Sequence, residues 1–255
     1  MTKYCSILLL LAFSLAGCRS GPHREEGEVS FPPGTEDRGW QQLFDGRTLN
    51  GWQALGLDSI PTVYWRVEDG TIHKRARDRV APLPDGSPPP SCDLMSRDTF
   101  LNFELAFEWK IAPLGNSGIK YNVSEKMSLR YGTTHALGFE YQIIDDAHYS
   151  EPLSPMQHTA ALYALVAPEN AEPRPAGRWN TGRIILRGHH GEHWLNGKKV
   201  LEYETGTPRF DSLVRHSKYH KYPGFARRRY GHIVLQDHAD DVWFRNIRIR
   251  TFDKP

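Results

Sequence analysis

Residues 102–111 limit what this chain can become more than any other stretch. Phe103, Leu105, Phe107, Trp109 and Ile111 alternate strictly with Glu104, Ala106, Glu108 and Lys110. A period of two puts one set on each face of a strand, whereas a helix would scatter the same aromatics around its girth. Five large apolar side chains on one face need a second layer to cover them. The rest of the chain offers strands to build it. Residues 116–123 place Ile119, Tyr121 and Val123 inward and Lys120 and Asn122 outward, and residues 65–72 form a hairpin bent at Asp69-Gly70. Residues 42–52, 159–165, 179–187, 193–196, 199–203, 231–238 and 242–250 continue the series, and a Pro-rich loop interrupts it at 82–90. Helical pattern is weak, the best case being 210–218. Many short strands separated by turns predict an all-β sandwich of two antiparallel sheets, a jelly roll.

The ends of the chain read differently. Residues 1–17, the signal, and Cys18 after them combine an early lysine, an apolar run from Ile7 to Leu15 and the sequence Leu15-Ala16-Gly17-Cys18. That layout is a secretory signal, too short to span a membrane. Its last four residues resemble the lipobox of bacterial lipoproteins, in which the cysteine becomes the lipid-bearing first residue after cleavage. The resemblance implies lipidation at Cys18 and a lipid-anchored protein of the bacterial cell envelope, facing the periplasm or held on the outer membrane. Residues 18–38 mix Gly, Pro and charge without periodicity and read as a flexible tether, leaving 39–255 as one domain. Cys92 then has no partner, so the core must hold the domain without disulfides. Lys and Arg number 32 against 30 Asp and Glu, which gives no reason to expect nucleic acid as a partner.

Candidate chemistry concentrates in residues 138–149. Alternation sends Phe139, Tyr141 and Ile143 to the core and Glu140 and Gln142 to a polar, solvent-facing side, with Asp145, Asp146 and His148 in the loop beyond. Residues 231–238 repeat the pattern, with Ile233 and Leu235 inward and Gln236 and His238 outward. Two such strands can bring Glu140, Gln142, Gln236 and His238 into one cleft, with Lys120, Asn122 and Tyr163 as neighbours. A carboxylate with an imidazole could also hold a divalent metal, Glu140 and His238 being the pair and Asp145 or His148 the third donor. His189, His190 and His193 surround Gly188 and Gly191 in what reads as a solvated hairpin turn, metal binding being the alternative that lacks a fixed ligand spacing, and Arg227-Arg228-Arg229 reads as a solvated loop, with an acidic sugar or the outer face of a membrane as the alternative partner. No phosphate-binding glycine loop and no Gly-x-Ser-x-Gly occurs, so neither a nucleotide cofactor nor serine-hydrolase chemistry is expected.

Five phrases together carry a family resemblance. They are Phe44-Asp45-Gly46 with Leu49 and Gly51-Trp52, Asn116-Ser117-Gly118-Ile119, Gly138-Phe139-Glu140-Tyr141-Gln142-Ile143, Trp194-Leu195-Asn196-Gly197, and Leu235-Gln236-Asp237-His238 followed by Val242-Trp243-Phe244-Arg245-Asn246-Ile247. In that order they resemble the 3-keto-disaccharide hydrolase family. Where that family usually carries an arginine soon after Asn-Ser-Gly-Ile, this chain has Lys120-Tyr121-Asn122. The resemblance implies a concanavalin A-like jelly roll and action on glycosides oxidised at C3 of the sugar. A ketone there makes the hydrogen on C2 acidic, so a base can remove it, the C1 substituent can leave, and water can add back. The base is expected at Asp145 or His148, and the enolate's charge would rest on a metal at Glu140 and His238 or on Lys120. A sugar 3-oxidoreductase would act upstream. A conventional glycosidase would instead need two carboxylates across the scissile bond, and Gln142 stands where the second would be on Glu140's strand face. A non-catalytic carbohydrate-binding module is the other alternative.

Overall fold

Alternating sequence becomes a two-layer structure because each sheet can bury only one face against the other. A computed structural model describes residues 39–131 and 135–252. The signal, Cys18 and the tether lie outside the described residues. Among the described residues there are thirteen strands, β1 Trp40–Gln42, β2 Trp52–Ala54, β3 Trp65–Glu68, β4 Thr71–Lys74, β5 Leu94–Ser96, β6 Phe103–Ile111, β7 Asn116–Val123, β8 Phe139–Ile144, β9 Asn180–Arg187, β10 His190–Leu195, β11 Lys198–Glu204, β12 His232–Leu235 and β13 Val242–Thr251. They form an eight-stranded sheet, β11-β10-β9-β6-β13-β4-β3 with β1 also on β13, and a five-stranded sheet, β2-β5-β12-β7-β8. All the pairings are antiparallel.

The core is the one the alternation of 102–111 demands. Phe103, Leu105, Phe107, Trp109 and Ile111 are all buried. Phe107 meets Tyr141 of the opposite sheet edge-on at 5.3 Å between ring centroids, and Phe103 meets Tyr121 at 6.4 Å. Full burial of such side chains is worth about 1.5–3 kcal/mol each. The outer face of β6 is also covered, because Glu104 takes Arg183 and Arg250, and Glu108 takes Arg245.

Several local expectations need correction. Residues 42–52 are not one strand: the Asp45 carboxylate accepts the amides of Arg47 and Thr48 at 2.8 and 2.7 Å, turning the chain between β1 and β2 in different sheets. Residues 159–165 are not a strand either. Ala160 and Ala164 have φ of 67° and 59°, which breaks an extended run, yet the segment still bonds the edge of β8 through Ala160 N to Gln142 O and Tyr163 N to Glu140 O. His193 is no solvated turn residue. It is fully buried between the Tyr121 hydroxyl at 2.7 Å and the Ala160 carbonyl at 2.9 Å, and burial pushes its pKa down to about 4. The helical stretch is Pro208–Arg215, capped by the Thr207 hydroxyl on Phe210 N and followed by a 3-10 turn, Lys218–Lys221.

Candidate active site

β7 and β8 pair in a register that sets Lys120 directly opposite Glu140 and Gly118 opposite Gln142. Their side chains share the face of the five-stranded sheet turned away from the core, as alternation requires. This face is not solvated as expected: Glu140 is 5% exposed, Lys120 4% and Gln142 1%. Three features cover it. The segment 159–165 borders β8, the 3-10 turn brings Lys218 over the Tyr163 ring at 4.1 Å, and the loop after β12 runs on beside β7, Gln236 N donating to Gly118 O at 3.0 Å.

Glu140 has room because residue 118 is glycine. A Cβ there would stand 3.0 Å from both Cγ and Oε1 of Glu140. With its amide nitrogen turned toward the carboxylate, Gln142 donates to Glu140 Oε1 at 3.0 Å and to Ser117 O at 3.2 Å. Burial raises the Glu140 pKa, opposed by the positive charges of Lys120 and Lys218 and reinforced by Asp93. A carboxyl in this state is a stronger base once ionised than an exposed one, and it ionises closer to neutrality.

Lys120 is held from behind. Its Nζ lies 3.1 Å from Asp93 Oδ2, and Asp93 is fully buried. The Asp93 carboxylate also accepts Ala136 N at 2.7 Å and Asp237 N at 2.9 Å, and lies 3.3 Å from His135 Nδ1. Although burial disfavours its charge, Lys120 and these donors keep its pKa below the usual carboxylate range. The Lys120 pKa is raised despite its own burial, by Asp93 first and then Glu140. Behind Asp93, whose carboxylate accepts the Asp237 amide, Asp237 pairs with Lys74 at 2.8 Å, both side chains 1% exposed, so a buried row of charged groups, Lys74, Asp237, Asp93 and Lys120, runs from the eight-stranded sheet to Glu140. Losing one partner of such a pair typically costs about 3–5 kcal/mol, which fixes Lys120 in place.

β12 ends at Leu235, so Gln236 and His238 lie in a loop, not on a strand. They nevertheless face a cleft of about 280 Å3 with Arg77, His135, Asp237 and Ala239. Asn116 joins this cleft to Glu140, its amide lying 3.2 Å from Gln142, 3.5 Å from His238 Nε2 and 3.3 Å from the Tyr149 hydroxyl. Asn122, at φ 55°, sits by the register shift between β7 and β12, and its amide donates to Arg228 O at 3.3 Å. Tyr163 is placed by its own N–H on Glu140 O.

Asp145 and His148 do not join this group. The Asp145 carboxylate accepts Leu114 N at 3.0 Å and lies 3.3 Å from His148 Nδ1, while the His148 side chain is 70% exposed. Asp145 has the strand parity of the core residues, so it turns toward the β6–β7 connection and closes that turn. Without them, Glu140 and His238 lack the third side-chain donor expected of a metal site. Among the described residues, the group of three donor atoms within 4.8 Å of one another is His190, Glu192 and Glu202 on the β10–β11 hairpin. A lysine already occupies it, Lys199 lying 3.5 Å from Glu192 and 2.5 Å from Glu202.

Sequence reasoning missed Lys218, Asp93 and Asn116. The alternation of β7 could have yielded Asn116, which shares the parity of Lys120. Nothing local marks Lys218 or Asp93, whose roles depend on which segments meet in space.

A 3-keto-disaccharide hydrolase of Bacteroides thetaiotaomicron is 36% identical over 236 residues, covering 84% of this chain and 79% of that protein. A crystal structure of a presumed glycosyl hydrolase from Parabacteroides distasonis is 29% identical, with a TM-score of 0.73 over 84% of this chain and 94% of its own. A second from that organism is 25% identical, with a TM-score of 0.61 over 84% and 99%. The family described as 3-keto-alpha-glucoside-1,2-lyase-like domain matches residues 39–250, every strand of both sheets except the last residue of β13, and the chain belongs to that family.

Proposed function

We propose that this protein cleaves glycosides of 3-keto sugars, with Glu140 as the base that removes the hydrogen from C2. The observation that carries the reading is a buried carboxyl of raised pKa set opposite a fixed lysine on a covered sheet face. The Glu140 carboxylate takes the C2 proton, and the C2–H electrons move toward the C3 carbonyl to form an enolate. Lys120 and Lys218, whose charges already act on Glu140, stabilise the enolate oxygen, and His238 can donate a hydrogen bond to it. The enolate re-forms the ketone by pushing out the C1 oxygen as its C1–C2 double bond forms, and the departing alkoxide takes up the proton that Glu140 removed. Water then adds to C1 and a proton returns to C2, so the net reaction is hydrolysis.

A direct displacement is less well served. The other carboxylate acting on Glu140 is Asp93, which is fully buried and engaged by Lys120 and two backbone amides. It is not free to attack C1 or to activate water there. No step is assigned to a metal at Glu140 and His238, because these residues supply two side-chain donors and Asp145 and His148 are turned elsewhere.

The ketone must be made beforehand, so a sugar 3-oxidoreductase acts upstream of this protein. The Leu15-Ala16-Gly17-Cys18 sequence supports a mature protein that begins at a lipidated Cys18 and is anchored in the bacterial cell envelope. The reaction is tested by turnover of a chromogenic 3-keto-glucoside beside its unoxidised parent. Release from the keto sugar alone is expected. Equal rates on both would return the protein to conventional glycosidases, and binding without turnover of either would make it a carbohydrate-binding module.

A further inference from the structure

Between Asp211 and Asp237 the chain carries six Lys and Arg and no Asp or Glu, although its totals are 32 against 30. Three arginines on the outer face of the eight-stranded sheet, Arg183, Arg245 and Arg250, are neutralised by Glu104 and Glu108. Among the described residues, Arg215, Lys218, Lys221, Arg227, Arg228 and Arg229 make no ion pair at all. Three of them lie over neutral rings instead: Lys218 over Tyr163 at 4.1 Å, Lys221 over Tyr222 at 5.3 Å and Arg228 over Tyr230 at 5.0 Å. Such contacts hold the side chains without cancelling their charge.

This run is fixed in place and borders the candidate site. Tyr219 and Phe225 stack with centroids 3.9 Å apart, clamping the 3-10 turn to the loop that leads to the three arginines. Both rings are buried. At one end the charge of Lys218 acts on Glu140, and Lys221 is near enough to act on Lys218. At the other end Arg228 accepts the amide of Asn122 through its carbonyl. Uncompensated like charges on a rigid segment repel, and that cost is recovered when an anion lies among them.

We propose that this basic border, chiefly Lys218, Lys221 and Arg227 to Arg229, binds an anionic group carried by the glycoside, so that the substrates are acidic saccharides. The anion is a carboxylate, sulfate or phosphate on the unit next to the 3-keto ring, which itself lies over Glu140. The placement of that ring rests on the reaction proposed above, whereas the anion site does not.

The test compares wild type with a Lys221→Gln, Arg227→Gln, Arg229→Gln variant, all at exposed positions outside the reacting group. Calorimetry with a glucuronate-terminated disaccharide and its neutral glucose counterpart should show at least about tenfold tighter binding of the acid at low salt. The preference should vanish in the variant, and in wild type at about 1 M salt, where screening acts within about 3 Å. In turnover, a 3-keto-glucoside with an acid-bearing leaving group should have a KM lower by a similar factor than a neutral one, with kcat alike. The variant should keep wild-type turnover of the neutral substrate. If no keto-glycoside turns over while the acid-selective binding persists, the reaction is wrong and the anion site stands. Equal binding of both disaccharides overturns the proposal. So does binding to phosphatidylglycerol vesicles without affinity for the free acidic disaccharide, which would make the border a membrane-facing surface.

Discussion

Glu140→Gln is the substitution on which activity and stability should move in opposite directions. The replacement keeps the shape of a side chain that is 5% exposed and keeps an oxygen for Gln142 to donate to. It removes the base, a loss that typically lowers the rate by about 10²–10⁴-fold. It also removes a carboxyl that the fold prefers uncharged, since burial raises its pKa above the ordinary value. A raised folded-state pKa means that its contribution to stability is fully present below the ordinary carboxyl pKa and is lost as pH rises through the raised one. The amide does not titrate, so wild type and variant should melt together near pH 4 and the variant should melt higher at pH 8. Each unit of pKa shift corresponds to about 1.4 kcal/mol, and 1 kcal/mol to about 2–4 °C in Tm for a domain of this size. The assay is turnover of the keto-glucoside together with calorimetric melting across that pH range. Full activity in the variant, or a variant that melts lower than wild type at pH 8, would refute the assignment of Glu140 as a buried base.

Gly118→Ala places a methyl group 3.0 Å from Glu140 Cγ and Oε1 and 3.2 Å from Tyr141 O, so kcat should fall at least about tenfold in a protein whose circular dichroism is unchanged. His193, whose pKa is pushed down to about 4, contributes stability that is complete above its ordinary pKa and is lost as pH falls through about 4. That loss is on the order of 3 kcal/mol, and a urea-unfolding series over this range should show a slope that His193→Gln flattens. Cys18→Ala should leave the protein unprocessed or release it from the membrane fraction, while mass spectrometry of wild type should find a lipidated Cys18 at its N-terminus.

What the sequence revealed follows from the range over which its signals act. Alternation is local, so the inward set of β6 and the sidedness of Glu140, Gln142 and Lys120 could be read directly, and Asp69-Gly70 marked its own hairpin. The covering of that polar face could not be read, because it comes from segment 159–165 and the turn at Lys218, which are distant in sequence from β7. Asp145 misled for a related reason. Proximity to Glu140 in sequence suggested proximity in the site, but its parity turns the carboxylate toward Leu114 N. Gln236 and His238 reached the cleft although β12 stops before them, since the loop stays tied to β7 through Gln236 N on Gly118 O and to Asp93 through Asp237 N. His193 looked solvated beside two glycines, yet alternation along β10 puts it inward with Gly191 and Leu195, where Tyr121 and the Ala160 carbonyl supply its partners.

The measurement that reaches the centre of this reading is the fate of the hydrogen at C2. A 3-keto-glucoside deuterated there should be cleaved more slowly than the protonated sugar, or lose its label to solvent before or during cleavage, and Glu140→Gln should abolish both the cleavage and the exchange. Cleavage at an unchanged rate with the deuterium fully retained at C2 would contradict it, because no proton would then have left that carbon.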